Sequence, residues 1–143
     1  MKNKLIYSFI FILLFSMVSP VSASPTMAQK MRGKILLQVE DNGEAWYVNP
    51  TDNGRYYMGR PADAFDLMRQ LGLGISEGNY GKFNGQAPNN LAGRILLRVE
   101  SHGEAYYVNP DNMQMNYLGR PADAFRIMRE LGLGITNQNL NKI

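Results

Sequence analysis

The sequence predicts an α+β protein built as a tandem duplication of one small unit, each unit a three-stranded antiparallel β-meander followed by one α-helix. Three observations carry this. Gly33 to Asn79 aligns with Gly93 to Asn139 without a gap, each residue matching the one sixty positions later, and roughly three-fifths of the pairs are identical. Within each copy the apolar period changes from two to about three and a half, the signature of strands giving way to a helix. The phrase GRPADAF, at 59–65 and again at 119–125, marks the corner where that change occurs.

The first two strands are KILLQVE and EAWYVN, separated by DNG. Asn42-Gly43 predicts a two-residue type I′ turn, whose central residues both need positive φ; the second copy has His102-Gly103. A two-residue turn sets Val39 opposite Trp46 and Leu37 opposite Val48, and Val48 opposite Tyr57 in the third strand, RYYM. Opposed residues share a side. Trp46 and Tyr57 are therefore expected in the core beneath the helix, and Tyr47, Tyr56 and Met58 on the second face with Leu36, Gln38, Glu40 and Asn49. That face is too apolar to stand in water. It is expected to pack on its sibling, Tyr107 and Leu118, or to receive a partner or a second copy.

Pro61 suits the first helical position and Asp63 the positive end of the helix dipole. Ala64, Phe65, Met68 and Leu71 are assigned to the buried face, so Phe65→Ala is expected to cost about 3–5 kcal/mol. Gly72-Leu73 is expected to stop the helix, the glycine left-handed and the leucine folded back toward Met68. The divisions are a signal peptide over 1–23, an arm over 24–32, unit 1 over 33–79, a Gly/Asn/Pro-rich linker over 80–91 and unit 2 over 92–143.

The signal peptide is read from Lys2 and Lys4, the apolar run Leu5 to Val18, Pro20 and the small-residue end Val21-Ser22-Ala23. It implies secretion or a cell-envelope or periplasmic location, with no stable membrane span after cleavage. Of the 15 basic residues, Lys2 and Lys4 leave with the leader, so 13 face 12 acidic ones and the net charge is near +1. A chain so nearly neutral lacks the basic stripe that phosphate neutralisation requires, which argues against nucleic acid. The chain has no cysteine, so disulfides, a thiol nucleophile and a cysteine-linked lipid are excluded.

No catalytic set emerges. His102 is the single histidine and stands at a turn opposite Asn42 of the other copy. Glu40 with Glu44, and Glu100 with Glu104, flank hairpin tips and in the expected register point to opposite sides, unlike a glycosidase pair. DNGE and TDNGR lack the alternating acids of a calcium loop, and GLGI lacks the strand-to-helix setting of a phosphate loop, so neither metal nor cofactor is expected. Arg60 and Arg120 either hold Glu44 or Asp63 and their counterparts, or reach an anionic or carbohydrate ligand beside Tyr47 and Tyr56. The candidate contact residues are therefore Tyr47, Tyr56, Arg60, Tyr107 and Arg120.

The stretch ILLQVEDNGEAWYVNP followed by RYYMGRPADAFDLMRQLGLGI, in both copies, and the closing NQNLNKI resemble an uncharacterised repeat of secreted bacterial cell-envelope proteins. The resemblance implies a bacterial envelope or extracellular setting and brings no catalytic residue. The rhythm of AWYVNPTDNGRYYMG is faintly similar to choline-binding repeats of cell-wall proteins, which are shorter and lack the helix. The expected function is a non-catalytic exported binding or interaction module that recognises a cell-wall polymer, a carbohydrate or another envelope protein. The alternatives are an adaptor or inhibitor that docks on a protein and, third, a hydrolase.

Overall fold

The computed structural model describes residues 23–143, so the expected leader, apart from Ala23, lies outside the described residues. Those residues form a mixed α+β architecture of two four-stranded sheets and five α-helices. A short helix, α1 (Met27–Lys30), opens the chain, with Thr26 and Gln29 exchanging side-chain and backbone hydrogen bonds as a capping box. Strands β1 (Ile35–Gln38), β2 (Ala45–Val48) and β3 (Arg55–Tyr57) follow, then α2 (Pro61–Leu71), β4 (Leu73–Ile75) and α3 (Glu77–Phe83). After a 3₁₀ turn at Asn89–Leu91 come β5 (Ile95–Arg98), β6 (Ala105–Val108), β7 (Met115–Tyr117), α4 (Pro121–Leu131), β8 (Leu133–Ile135) and α5 (Asn137–Leu140). The expected linker over 80–91 thus holds the end of α3 and the 3₁₀ turn.

The sheets are not simple meanders. The first runs β3-β2-β1-β8 and the second β4-β5-β6-β7, so each joins three antiparallel strands of one half to a parallel fourth strand from the other half. Leu133 lies beside Leu36, and Leu73 beside Leu96. This exchange also corrects the role given to Gly72. Its φ of −65° and ψ of 133° are extended, not left-handed, and the chain passes straight from α2 into β4. Glycine is needed there because a Cβ would sit 2.5 Å from the Met68 carbonyl oxygen and 2.6 Å from Leu97 Cδ1 of the opposite half. Gly132 meets Met128 and Leu37 in the same way.

The hairpin register is offset by three residues from the expected one: Ile35 faces Tyr47, Leu36 faces Trp46 and Leu37 faces Ala45. An odd offset exchanges the two sides of the sheet. Its cause is the turn. Only Gly43, at φ 76°, takes positive φ, whereas a type I′ turn requires it at Asn42 as well. The Gln38 N–H donates to the Glu44 carbonyl at 2.9 Å, leaving Val39 to Gly43 as loop, and the Val39 N–H is given to Ile135 of β8 at 3.1 Å. β1 therefore ends its hairpin early and continues against the exchanged strand. Arg98, Glu104, Val99 and Ile75 repeat these bonds in the second half.

Tyr47 and Tyr107 thus lie on the side that the helices cover, a correction to their expected place on the side away from the helix, while the expected packing of the two faces on each other, with Met58 and Leu118, is present; both tyrosines are buried. They share one core with Ile35, Met58, Ile95 and Leu118 and with the stripes Ala64, Leu67, Met68 of α2 and Ala124, Ile127, Met128 of α4. The Tyr47 hydroxyl donates to the Gly93 carbonyl at 2.7 Å and that of Tyr107 to the Gly33 carbonyl at 2.8 Å, so each phenol ties its half to the other. Burial pushes both phenol pKa values far up and keeps them neutral. At this crossing Gly33 and Gly93 have φ of 75° and 71°, and a Cβ on Gly93 would fall 2.3 Å from Gly33 Cα. Only glycine fits.

The outer faces carry smaller cores. Leu36 and Val48 pack with Ile135, Leu140 and half-buried Trp46; Leu96 and Val108 pack with Ile75, Ala87 and half-buried Tyr106. Phe65, expected inside, is exposed, because Ala64, Leu67, Met68 and Leu71 already complete the buried stripe and Phe65 lies one position off it.

Candidate functional site

The five sequence candidates do not converge. Tyr47 and Tyr107 have no surface to offer. Tyr56 is half-buried at the edge of the shared core, and its hydroxyl donates to Asp52 Oδ2 at 2.7 Å across the NPTDNG turn, a bond that raises the phenol pKa and lowers that of the carboxyl. Arg60 spans the first turn of α2, Nε to Asp63 Oδ2 at 2.7 Å and Nη2 to Oδ1 at 3.0 Å, and Arg120 does the same to Asp123 at 2.7 and 3.1 Å. These forks hold both aspartates below the usual carboxylate range. Of the two structural partners foreseen for Arg60, Asp63 is the one engaged.

The hairpin glutamates also have local work. Glu40 Oε2 accepts the Asn137 N–H at 2.7 Å and Glu100 Oε2 the Glu77 N–H at 2.9 Å, so each hairpin tip caps the helix that covers its sheet. Glu104 accepts from the Ser101 hydroxyl at 3.2 Å, and backbone N–H bonds are the first cause of its lowered pKa. His102 stands exposed, its Nδ1 3.8 Å from Glu104 Oε1. Among the described residues no three acidic or histidine side chains gather as metal ligands would.

What the sequence reading missed is a pair of clefts, each built from both halves. The first, about 420 Å³, lies between Tyr57, Met58 and the Gly43 hairpin tip on one side and Phe125, Met128 and Arg129 of α4 on the other. The second, about 380 Å³, lies between Tyr117, Leu118 and the Gly103 tip and Phe65, Met68 and Arg69 of α2. Every position lining one cleft is sixty residues from a position lining the other. A narrow gap between α2 and α4, lined by Ala64, Phe65, Met68, Ala124, Phe125 and Met128, shares Phe65 and Met68 with the second cleft and Phe125 and Met128 with the first, and the three together are here called the groove.

Four aromatic rings line this groove in solvent: Phe125 is 55% exposed, Tyr57 44%, Phe65 41% and Tyr117 40%. Arg69 and Arg129 make no ion pair among the described residues, and the Arg69 guanidinium lies 5.8 Å from the Phe65 ring centroid. The groove therefore offers apolar contact and free guanidinium charge. The clue in the sequence was the position of Phe65 and Phe125 beside a helical stripe complete without them.

A larger cavity, about 720 Å³, opens beside Arg32, Thr51, Arg94 and Pro110 near the Gly33–Gly93 crossing. One of its charged groups ties the halves together. Arg94 donates to Thr51 Oγ1, and nearby Lys34 Nζ donates to Asp111 at 2.7 and 2.9 Å. Among the described residues no helix is long and apolar enough to cross a membrane. No family model, no curated protein and no solved structure matches the chain.

Proposed function

We propose that this chain is a non-catalytic interaction module of the bacterial cell envelope, made by tandem duplication, that docks a protein in the groove across α2 and α4. The observation that carries the reading is the exposure of four aromatic rings around two neighbouring clefts in a chain of this size. A monomeric surface rarely leaves such a run uncovered, and aromatic residues with arginine are enriched where proteins meet. Export is supported by the N-terminal run, and duplication by the sixty-residue offset shared by sequence, strand registers and cleft linings.

A cell-wall polymer fits less well. That reading relied on Tyr47 and Tyr107 as outward stacking faces, and both are inside. The ring pairs that Trp46 forms with Tyr57, and Tyr106 with Tyr80 and Tyr117, are tilted at 45–57°, not parallel as successive sugar rings would require.

The test is a photo-reactive phenylalanine analogue at position 65 or 125, irradiated on envelope preparations, with Lys82 as the control position. Adducts that a protease destroys are expected from 65 and 125 and not from 82. Equal labelling at all three positions, or none, would overturn the docking surface; adducts released only by a wall-degrading enzyme would return the polymer.

A further inference from the structure

We propose that the open edge of β3 is a strand-addition site, where an extended segment of a partner protein takes the place that Gly85–Ala87 hold on the second sheet. β3 and β7 are the matching edge strands of the two sheets. At β7 the edge is filled. The Ala87 N–H donates to the Met113 carbonyl and the Met115 N–H to the Gly85 carbonyl, each at 2.9 Å, and Gln86 stands opposite Gln114 in an antiparallel bridge. Ala87 is buried in the outer core with Met113 and Met115.

The same two groups on β3 are the Asn53 carbonyl and the Arg55 N–H, and neither has a hydrogen-bond partner among the described residues. The Asn49 N–H bonds to the Gly54 carbonyl at 2.9 Å and the Met58 N–H to the Ala45 carbonyl at 2.8 Å, so the even-numbered residues of β3 turn toward β2 and Arg55 turns its N–H outward. Asn53 at φ 58° and Met113 at φ 62° present the edge in the same form. Asn53 Oδ1 is also buried without a partner among the described residues, a further acceptor unmet at this corner. The first half cannot copy the second. Gly85 sits at φ 81°, and the residue sixty positions before it is Pro25, whose ring forbids positive φ. Thr26 instead caps α1 and Met27 begins it.

The segment on the sibling edge defines the chemistry of the occupant. It is read through its main chain, by one carbonyl and, two residues on, one N–H. The residue bearing that N–H is small, as Ala87 is, and the one between carries a donor, as Gln86 Nε2 donates to the Asn112 carbonyl at 3.4 Å. The Arg55 guanidinium lies 5.1 Å from the Trp46 ring centroid and donates to the Leu140 carbonyl, so its side chain is engaged on its own sheet and its backbone is what it offers. Neither Asn53 nor Arg55 lines the groove, so this site stands apart from the docking reading above.

NMR of the whole protein tests this. In the protein alone the Met115 amide should exchange about tenfold or more slower than the Arg55 amide. The probe is a blocked synthetic peptide of sequence FNGQAPNN, that of residues 83–90. At millimolar concentration it should move the Arg55 amide proton downfield and slow its exchange, leaving Met115 unchanged. N-methylation of the peptide's alanine removes the donor to Asn53 and should weaken binding about tenfold. An Arg55 amide as protected as Met115 from the start, no response of Arg55 up to about 10 mM peptide, or binding indifferent to the N-methyl group would each overturn the site. Arg55 protection that rises with protein concentration before any peptide is added would overturn the partner, giving the edge to a second copy.

Discussion

The two sheets are covered on their outer faces by equivalent elements held in chemically different ways. Over the first sheet α5 is fastened without an ion pair among the described residues: Trp46 Nε1 donates to Gln38 Oε1 at 3.0 Å, and Gln38 Nε2 donates to Asn137 Oδ1 and Asp41 Oδ2, each at 2.6 Å. Over the second sheet α3 is fastened by charge. Arg98 forks to Glu77 at 2.5 and 2.8 Å and lies 4.2 Å from the Tyr80 ring centroid, while Tyr80 and Tyr106 share a hydroxyl bond at 3.1 Å. Gln38, Asn137 and Trp46 have become Arg98, Glu77 and Tyr106 at matching positions. The inner layer keeps Tyr47 and Tyr107 with the same bond to the opposite glycine. An outer face accepts any set that satisfies its polar atoms, whereas a core shared by both halves constrains shape on two sides at once.

The largest expected effect probes the layer that does not differ. Tyr47→Ala and Tyr107→Ala should each destabilise by about 3–5 kcal/mol in urea unfolding, and by nearly equal amounts. A gap above about 2 kcal/mol between them would mean that the inner layer is less symmetric than its hydrogen bonds indicate. Next, Gln38→Ala strands both the Trp46 N–H and Asn137 Oδ1 and should cost about 1–2 kcal/mol. The fluorescence of Trp46, the single tryptophan, reports that site directly.

Acid should then separate the two covers. Hydrogen bonding to Arg98 is the first cause of the lowered Glu77 pKa, so the fastening is complete above 4.5, the ordinary glutamate value, and is lost as pH falls through the depressed value in the folded state. Asn137 itself has no carboxyl, and the carboxylates that accept from it, Glu40 and Asp41, make no ion pair among the described residues, so no arginine fork is lost there. Hydrogen exchange should show α3 amides losing protection before those of α5 as pH drops below 4.5, and simultaneous loss would break the comparison. Gln38→Arg with Asn137→Glu should transfer that acid sensitivity to the first sheet. The smallest effect is Phe65→Ala, now expected to cost below about 1 kcal/mol because the ring is already wet. A cost of about 3 kcal/mol would restore Phe65 to the interior.

The three antiparallel strands of each half, the helix starts at Pro61 and Pro121 and the first-turn aspartates were legible because each depends on a few neighbouring residues. The register was not. Asn42-Gly43 has the composition of a tight turn, but Val39 is drawn to β8, and that attraction comes from residues nearly a hundred positions away. The same distance hid β4 and β8: Leu-Gly-Ile after a glycine reads as a helix stop until a strand from the other half is beside it. The site failed with the register, since the side exchange moved Tyr47 and Tyr107 inside. Arg60 and Arg120 were placed correctly at the corner, where the nearby aspartates engage them. Phe65 and Phe125 needed only a closer count of helical positions.

The exchanged strands also decide what a cut in the chain would do. Scission between Asn84 and Gly85, on an exposed stretch, would part the backbone without freeing either fragment, because each keeps a strand clasped in the other's sheet: Leu73–Ile75 along Ile95–Arg98, and Leu133–Ile135 along Ile35–Gln38. A nicked molecule would travel as one particle and fall into two pieces only in denaturant.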